Sequence, residues 1–259
     1  MPGLETFLIS RFIIFTLVLA RTSTLLMTAP LFGSLALPRH VRALLAVTMS
    51  LLVTPVHLNT SVPPVDDILQ LCRLLASEAL VGLLLGLGIN IMFSGVQVAG
   101  QIVSQLSGLS LANVFNPGFE EDVSVFSQLF YFITLAVFVA VGGHRIVTEA
   151  LLETFAAAPP GHAALGNNFV EVLTAIITQS FALGIRAAAP LMVALLLSNL
   201  VLGLISRTLP QINVIAVGFS INSLLTLGVL FLSLGAVAWT FQEPTVEVLQ
   251  LISATLIPS

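Results

Sequence analysis

The sequence predicts an all-α integral membrane protein, and three observations carry that prediction. Hydrophobic residues fill 57% of the 259 positions and charged residues only 8%, against about 25% charged in an ordinary soluble domain. The mean hydropathy is +1.10. The apolar residues also gather into about six helical segments, near 7 to 37, 43 to 56, 68 to 93, 125 to 142, 169 to 206 and 212 to 241. Short polar or proline-containing breaks separate them at Pro38 to Arg42, Pro55 to Asp67, Asn116 to Asp122, Pro159 to Asn168 and Arg207 to Gln211. No stretch is long and polar enough for a soluble domain, so the chain reads as one membrane unit.

The same composition removes several kinds of function. The 8 basic residues are all arginine, and 12 acidic residues leave a net charge of -4. A lysine-free, acidic chain is a poor nucleic-acid binder. Without a lysine there is no P-loop, no Schiff-base lysine and no lysine general base. Cys72 is the single cysteine, which leaves no intrachain disulfide, cysteine-based zinc site or iron–sulfur cluster. At the start, Glu5 and Arg11 precede an apolar run that does not stop at signal-peptide length, and no small-residue cleavage pattern follows. That start reads as mature structure.

Taken in order, the segments are uneven. At about 1.5 Å per residue, 43 to 56 spans about 21 Å and 169 to 206 about 57 Å, against a hydrocarbon core of about 30 Å. Pro190 is expected to kink the long segment or divide it. Helices of such lengths are expected to pack partly against protein. Arg11, Arg21, Arg73, Glu78 and Arg186 lie in or near these runs, where a charge facing lipid costs at least about 2.5 to 3.5 kcal/mol. Each therefore should face a partner or water, as a snorkelling side chain or a structural ion pair ahead of a direct role in transport. Arg73 and Glu78 are five apart, a poor same-face spacing, so they are not expected to pair with each other. Arg39 and Arg42 point to a cytoplasmic break, Asp66 and Asp67 to the opposite side, and Arg207 adds one vote, which leaves the orientation open.

The most informative pattern lies between Glu78 and Gly108. Glu78, Gly82, Gly86, Asn90 and Ser94 recur every four residues, and Gln97, Gln101, Ser104, Gln105 and Gly108 continue the helical stripe. Its first half has small residues that permit close backbone approach, and its second half has uncharged hydrogen-bonding groups. Two readings stand: a polar helix–helix seam, or one wall of a water-filled path for a permeant without fixed charge. Residues 108 to 122, GLSLANVFNPGFEED, follow. Asn116, Pro117 and Gly118 form a turn signal, and Glu120, Glu121 and Asp122 can cap a helix beginning near Val123. The apolar approach through Leu109, Leu111, Val114 and Phe115 is costly to leave in water, which a plain solvent loop does not explain.

Enzymatic chemistry is not expected. His40, His57, His144 and His162 never stand in metal-ligand spacing with a carboxylate, and HExxH, GxSxG and paired intramembrane aspartates are missing. His144, after Gly142 and Gly143, reads as a turn or interface residue. Among the carboxylates only Glu78 is deep, which argues against a proton-coupled pump. An inverted repeat with a charged midplane site, as in a small-molecule transporter, is not apparent either. No cofactor or metal is called for.

Several motifs together resemble one family. They are APLFGSLALPRHVR at 29 to 42, the glycine-spaced run from Glu78 to Gly88, AGQIVSQLSGLS at 99 to 110, the Pro117–Gly118 turn, VGGH at 141 to 144 and SRTLPQINVIAVGF at 206 to 219. The last is the most specific, with Arg207, Pro210, Gln211 and Asn213 between two long apolar segments. Over nearly its whole length the chain resembles the FliR family of flagellar biosynthesis and export-gate proteins, together with their virulence-type injectisome counterparts.

That resemblance implies a non-enzymatic subunit of a type III protein export gate in the bacterial inner membrane, at the centre of the flagellar basal body. It implies long helical hairpins packed in a hetero-oligomeric assembly with FliP-like and FliQ-like subunits, beside FlhB-like and FlhA-like export proteins, passing unfolded protein substrates. Residues 1 to 168 would correspond to a FliP-like part and 169 to 259 to a FliQ-like hairpin, with Arg207, Pro210, Gln211 and Asn213 at a turn that contacts a partner subunit. The family's channel plug maps onto Leu109, Leu111, Val114, Phe115, Pro117 and Gly118. The stripe of Glu78, Gly82, Gly86, Asn90, Gln97, Gln101 and Gln105 would be a seam or pore lining. Two departures stand out: Asn116 replaces the acidic residue that often precedes the Pro-Gly turn, and of the plug aromatics only Phe115 is retained.

Overall fold

The computed structural model describes residues 2–33, 38–58, 60, 63, 65, 67–108, 124–163, 169–209, 211 and 213–240. Among these the chain forms eight α-helices and no strand: α1 (Pro2–Thr28), α2 (Pro30–Gly33), α3 (Arg39–Val53), α4 (Ile68–Ser107), α5 (Val125–Ala140), α6 (Gly143–Ala157), α7 (Phe169–Thr208) and α8 (Val214–Thr240). A single 3-10 turn, Thr54–His57, extends α3. Four stretches are long and apolar enough to cross a membrane, Leu8–Thr28, Arg39–His57, Ile68–Ser107 and Val170–Thr208. The all-α membrane class read from composition is therefore the class observed.

The segment boundaries differ from the apolar runs for identifiable reasons. The run 7 to 37 is divided after Thr28, where Pro30 has no N–H to continue α1. The run 43 to 56 is too short because hydropathy discounts Arg39, His40 and Arg42, which form the first turn of α3 behind Pro38. With the 3-10 turn it reaches 19 residues, close to the roughly 20 that a membrane span needs. Pro190 lies inside α7 without dividing it. One helix was not among the apolar runs at all. Gly142, at φ +83, ends α5 in a left-handed conformation that suits glycine, and α6 starts at the next residue. α6 buries Val147, Ala150, Leu151, Thr154 and Phe155 at helical spacing and exposes Arg145, Glu149 and Glu153 on the other side. Arg145 and Glu149 form an exposed i,i+4 pair at 3.5 Å.

The chain divides into two compact units, Met1–Ile91 with Gly142–Ile176, and Met92–Val141 with Ile177–Pro244. The first holds α1 to α3, the start of α4, and α6 around Leu17, Leu25, Leu85, Ile89, Leu151 and Phe155, all nearly or fully buried. In the second, Phe93 meets Tyr131 and Phe138 edge-on, with ring centroids 5.7 and 5.5 Å apart, a preferred aromatic geometry. Ser124 caps α5 by accepting from the Ser127 N–H at 3.1 Å.

Candidate functional site

In the first unit the chemistry converges on one buried ion pair. Arg21 of α1 reaches Glu78 of α4, with Nη2 2.6 Å and Nε 2.7 Å from Oε2. Both side chains are fully buried. Two further donations hold the guanidinium, from Nη1 to Thr154 Oγ1 at 3.2 Å and from Nη2 to the Ala158 carbonyl at 3.0 Å. The guanidinium carbon stands 4.2 Å from the centroid of the Phe155 ring, a cation–π distance. On the other side, Glu78 Oε1 accepts from the Gly161 N–H at 2.9 Å. Gly161 sits at φ +88, a conformation that favours glycine and turns this N–H onto the carboxylate. The pair thus joins α1, α4, the end of α6 and the turn after it. A pair so fully bonded is a fixed structural element, because every lone pair or proton lost there would leave charge unmet in a dry site.

The stripe continues from it. A Cβ on Gly82 would run into the Arg21 carbonyl and Thr24 Oγ1, and one on Gly86 into Thr28 Oγ1. Asn90 Nδ2 stands 3.5 Å from the Thr28 carbonyl, at the limit of a hydrogen bond. Residues 78, 82, 86 and 90 therefore lie along Arg21, Thr24 and Thr28 of α1, two helices in backbone contact through small residues. Arg73 is exposed and takes no part in the pair. Arg11 and Arg186 are exposed as well.

The second unit carries an uncharged counterpart. Ser127 Oγ donates to the Gln97 carbonyl at 2.8 Å and approaches Gln101 Oε1 at 3.4 Å. Gln97 and Gln101 are half-buried, while Gln105 and Ser94 are exposed and Ser104 is buried, so this half of the stripe turns between protein and surface. Gly95 and Gly184 close another backbone contact, between α4 and α7, since a Cβ on either would strike the Ser180 or Gly95 carbonyl. Further along, Asn199 Nδ2 donates to the Leu106 carbonyl in the last turn of α4 at 2.9 Å. Asn222 Nδ2 donates to Asn199 Oδ1 at 2.8 Å, and Ser198 Oγ to Asn222 Oδ1 at 2.6 Å. This three-residue node ties α4, α7 and α8, and sequence reasoning did not single it out. One signal was available: Asn199 and Asn222 stand equally far from the Pro210–Gln211 turn, the level at which antiparallel hairpin residues meet.

At that turn Arg207, Gln211 and Asn213 are exposed, and Pro210 lies outside the described residues. Asn213 Oδ1 accepts from the Ala216 N–H at 3.2 Å, so the side chain caps α8. His144 is exposed in the first turn of α6. The expected plug residues Leu109, Leu111, Val114, Phe115, Pro117 and Gly118 all lie outside the described residues.

Long apolar helices held together by small residues, neutral amides and the buried Arg21–Glu78 pair define the class, an all-α membrane protein. The particular family follows from comparison. The family of bacterial export proteins, family 1, matches residues 12–247. Flagellar biosynthetic protein FliR of Aquifex aeolicus is 31% identical over 229 residues, 86% of each chain. FliR of Escherichia coli is 30% identical over 211 residues, 82% of this chain and 79% of its own. FliR of Caulobacter vibrioides is 28% identical over 237 residues, 92% of this chain and 94% of its own. The chain belongs to the bacterial export proteins of family 1, as its motifs led one to expect, and is a component of a flagellar export apparatus.

Proposed function

We propose that this chain is a non-enzymatic subunit of the flagellar type III export gate, forming part of the channel that passes unfolded flagellar proteins across the bacterial inner membrane at the basal body. The observation that carries the reading is the family match across residues 12–247. The structure supports it by its polar groups. Ser127, Ser198, Asn199 and Asn222, whose hydrogen bonds tie α4 to α5 and to the α7–α8 hairpin, are neutral hydroxyls and amides. Such groups hold helices without creating a binding site for any particular charged solute. A path for unfolded chains of any sequence needs that indifference.

The partners under this reading are FliP-like and FliQ-like subunits, with FlhB-like and FlhA-like proteins at the same apparatus. Residues 1 to 168 act as the FliP-like part and 169 to 259 as the FliQ-like hairpin. Closure of the idle channel falls to Leu109, Leu111, Val114 and Phe115, since water is unfavourable in a narrow apolar constriction, with Pro117 and Gly118 shaping the turn.

Deletion of the chain in its own host tests the reading. Hook and flagellin proteins are expected to vanish from the medium and to return when the chain is restored. Undiminished flagellar export without it would overturn the assignment. Loss of virulence-type secretion with flagella intact would move it to an injectisome.

A further inference from the structure

The last turn of α4 is held partly by its own residues and partly from another helix. A helix leaves the carbonyls of its last four residues without partners inside it, and in α4 these belong to Ser104, Gln105, Leu106 and Ser107. Ser107 Oγ donates to the Ser104 carbonyl at 2.9 Å, and the Gly108 N–H donates to the Gln105 carbonyl at 3.2 Å. Gly108, at φ +82, then turns the chain off the helix in the left-handed conformation that suits glycine. The Leu106 carbonyl is met from α7, by Asn199 Nδ2 at 2.9 Å.

Asn199 is aimed by its neighbours in the hairpin. Asn222 Nδ2 donates to Asn199 Oδ1 at 2.8 Å, and Asn222 Oδ1 accepts from Ser198 Oγ at 2.6 Å. With its oxygen taken by Asn222, the Asn199 amide turns its N–H side to the carbonyl, and a flipped amide would set oxygen against oxygen. Both helices of the hairpin therefore converge on one carbonyl at the end of α4, all within the second unit. Residue 109, next after Gly108, begins the segment to which closure of the idle channel is assigned above. We infer that Asn199 is a positioning residue for channel closure: it caps α4 from α7 and so fixes the point from which residues 109 to 118 depart. This inference rests on the reading that the segment closes the channel. Withdrawal of the amide leaves the Leu106 carbonyl unmet, so a displaced hairpin loosens the last turn of α4.

Three variants in the native host separate this role from general stability. Asn199→Asp keeps an acceptor for Asn222 but has no N–H for Leu106. Asn222→Ala removes the support of Asn199 and leaves its N–H in place. Deletion of 109 to 118 removes the closing segment itself. The readouts are uptake of a small membrane-impermeant dye by cells with an idle gate, the amount of assembled complex, and hydrogen exchange in the purified complex. Asn199→Asp is expected to raise dye uptake several-fold, toward the level of the deletion, at an unchanged amount of complex. Exchange over 104 to 108 should quicken while exchange over 85 to 96 of the same helix stays as it was. Asn222→Ala should leak less than Asn199→Asp. If the deletion leaks and Asn199→Asp is as tight as the parent chain, the inference fails while the closure reading stands. If the deletion is itself tight, the closure reading fails and takes the inference with it. Equal leakage from Asn222→Ala and Asn199→Asp also overturns the inference, because the cap then counts for no more than general loosening of the hairpin. Where Asn199→Asp does not accumulate, Asn199→Ala makes the same comparison without the charge.

Discussion

The two units hold their helices together by different electrostatics. In Met1–Ile91 with Gly142–Ile176 the link is a fully buried charge pair, Arg21 and Glu78, with three further protein partners. In Met92–Val141 with Ile177–Pro244 it is a chain of neutral amides and hydroxyls, Ser198, Asn199 and Asn222 on the Leu106 carbonyl. The difference lies in how each fails. Removing one member of a buried ion pair strands the other charge in a dry site, whereas removing one amide from a neutral chain leaves dipoles that find other partners in the membrane. The first unit should therefore respond to single substitutions in an all-or-none way and the second in a graded way.

The largest effect follows at the charge pair. Arg21→Ala or Glu78→Ala is expected to destabilise the chain by about 3 to 5 kcal/mol, read as loss of the protein from membranes and a collapse of its thermal stability in detergent. Replacing both at once, Arg21→Met with Glu78→Leu, should recover much of that loss because no charge is left unpaired. Equal damage from the double and the single variants would show that geometry at this site, and not stranded charge, sets the cost.

The next effect belongs to the glycine contacts beside the pair. Gly86→Val places atoms where Thr28 already stands, and Gly82→Ala meets the Arg21 carbonyl, which is backbone and cannot swing away. Overpacking of this kind costs about 1 to 3 kcal/mol. Gly203→Ala is the internal control, since a Cβ there meets nothing within 4 Å and alanine is the better helix former. It should be neutral or slightly stabilising in the same assay. A Gly86→Val chain as stable as the control would mean that α1 and α4 separate at little cost.

These two sites also mark what could be read from the sequence. The four-residue spacing from Glu78 through Gly86 was legible because a helix period and small residues are local signals. Its partner was not, because Arg21 lies 57 positions away and one sequence supplies no pairing information at that range. α6 was missed because its apolar side is interleaved with Arg145, Glu149 and Glu153, which lowers hydropathy while leaving the helical period intact. The Asn199–Asn222 contact requires hairpin register, and hence the position of the turn, before either amide means anything. The same holds for Asn213, whose polar side chain reads as a partner contact until the start of α8 shows it capping the helix.

A smaller effect is expected at the neutral node. Asn222→Ala removes a donor to Asn199 and an acceptor from Ser198, and interhelical hydrogen bonds in membranes contribute about 0.6 to 2 kcal/mol. A modest fall in melting temperature with normal membrane levels is the expected outcome. Collapse of the protein, as at Glu78, would erase the contrast between the two units.

The smallest effect on stability, with the most to say about function, is expected at the turn between α7 and α8. Arg207 and Gln211 are exposed, so Arg207→Ala and Gln211→Ala should leave the melting temperature of the isolated chain unchanged. If the turn contacts a partner subunit, each substitution should still lower the yield of co-purified partners and the export of flagellar proteins. Arg207→Lys separates the two ways an arginine can serve there. A solvated surface cation tolerates lysine, whereas a planar two-pronged contact to a protein carboxylate does not. Co-purification that survives both Arg207→Ala and Gln211→Ala would reduce the turn to a connector, and the difference between the units would then stop at stability.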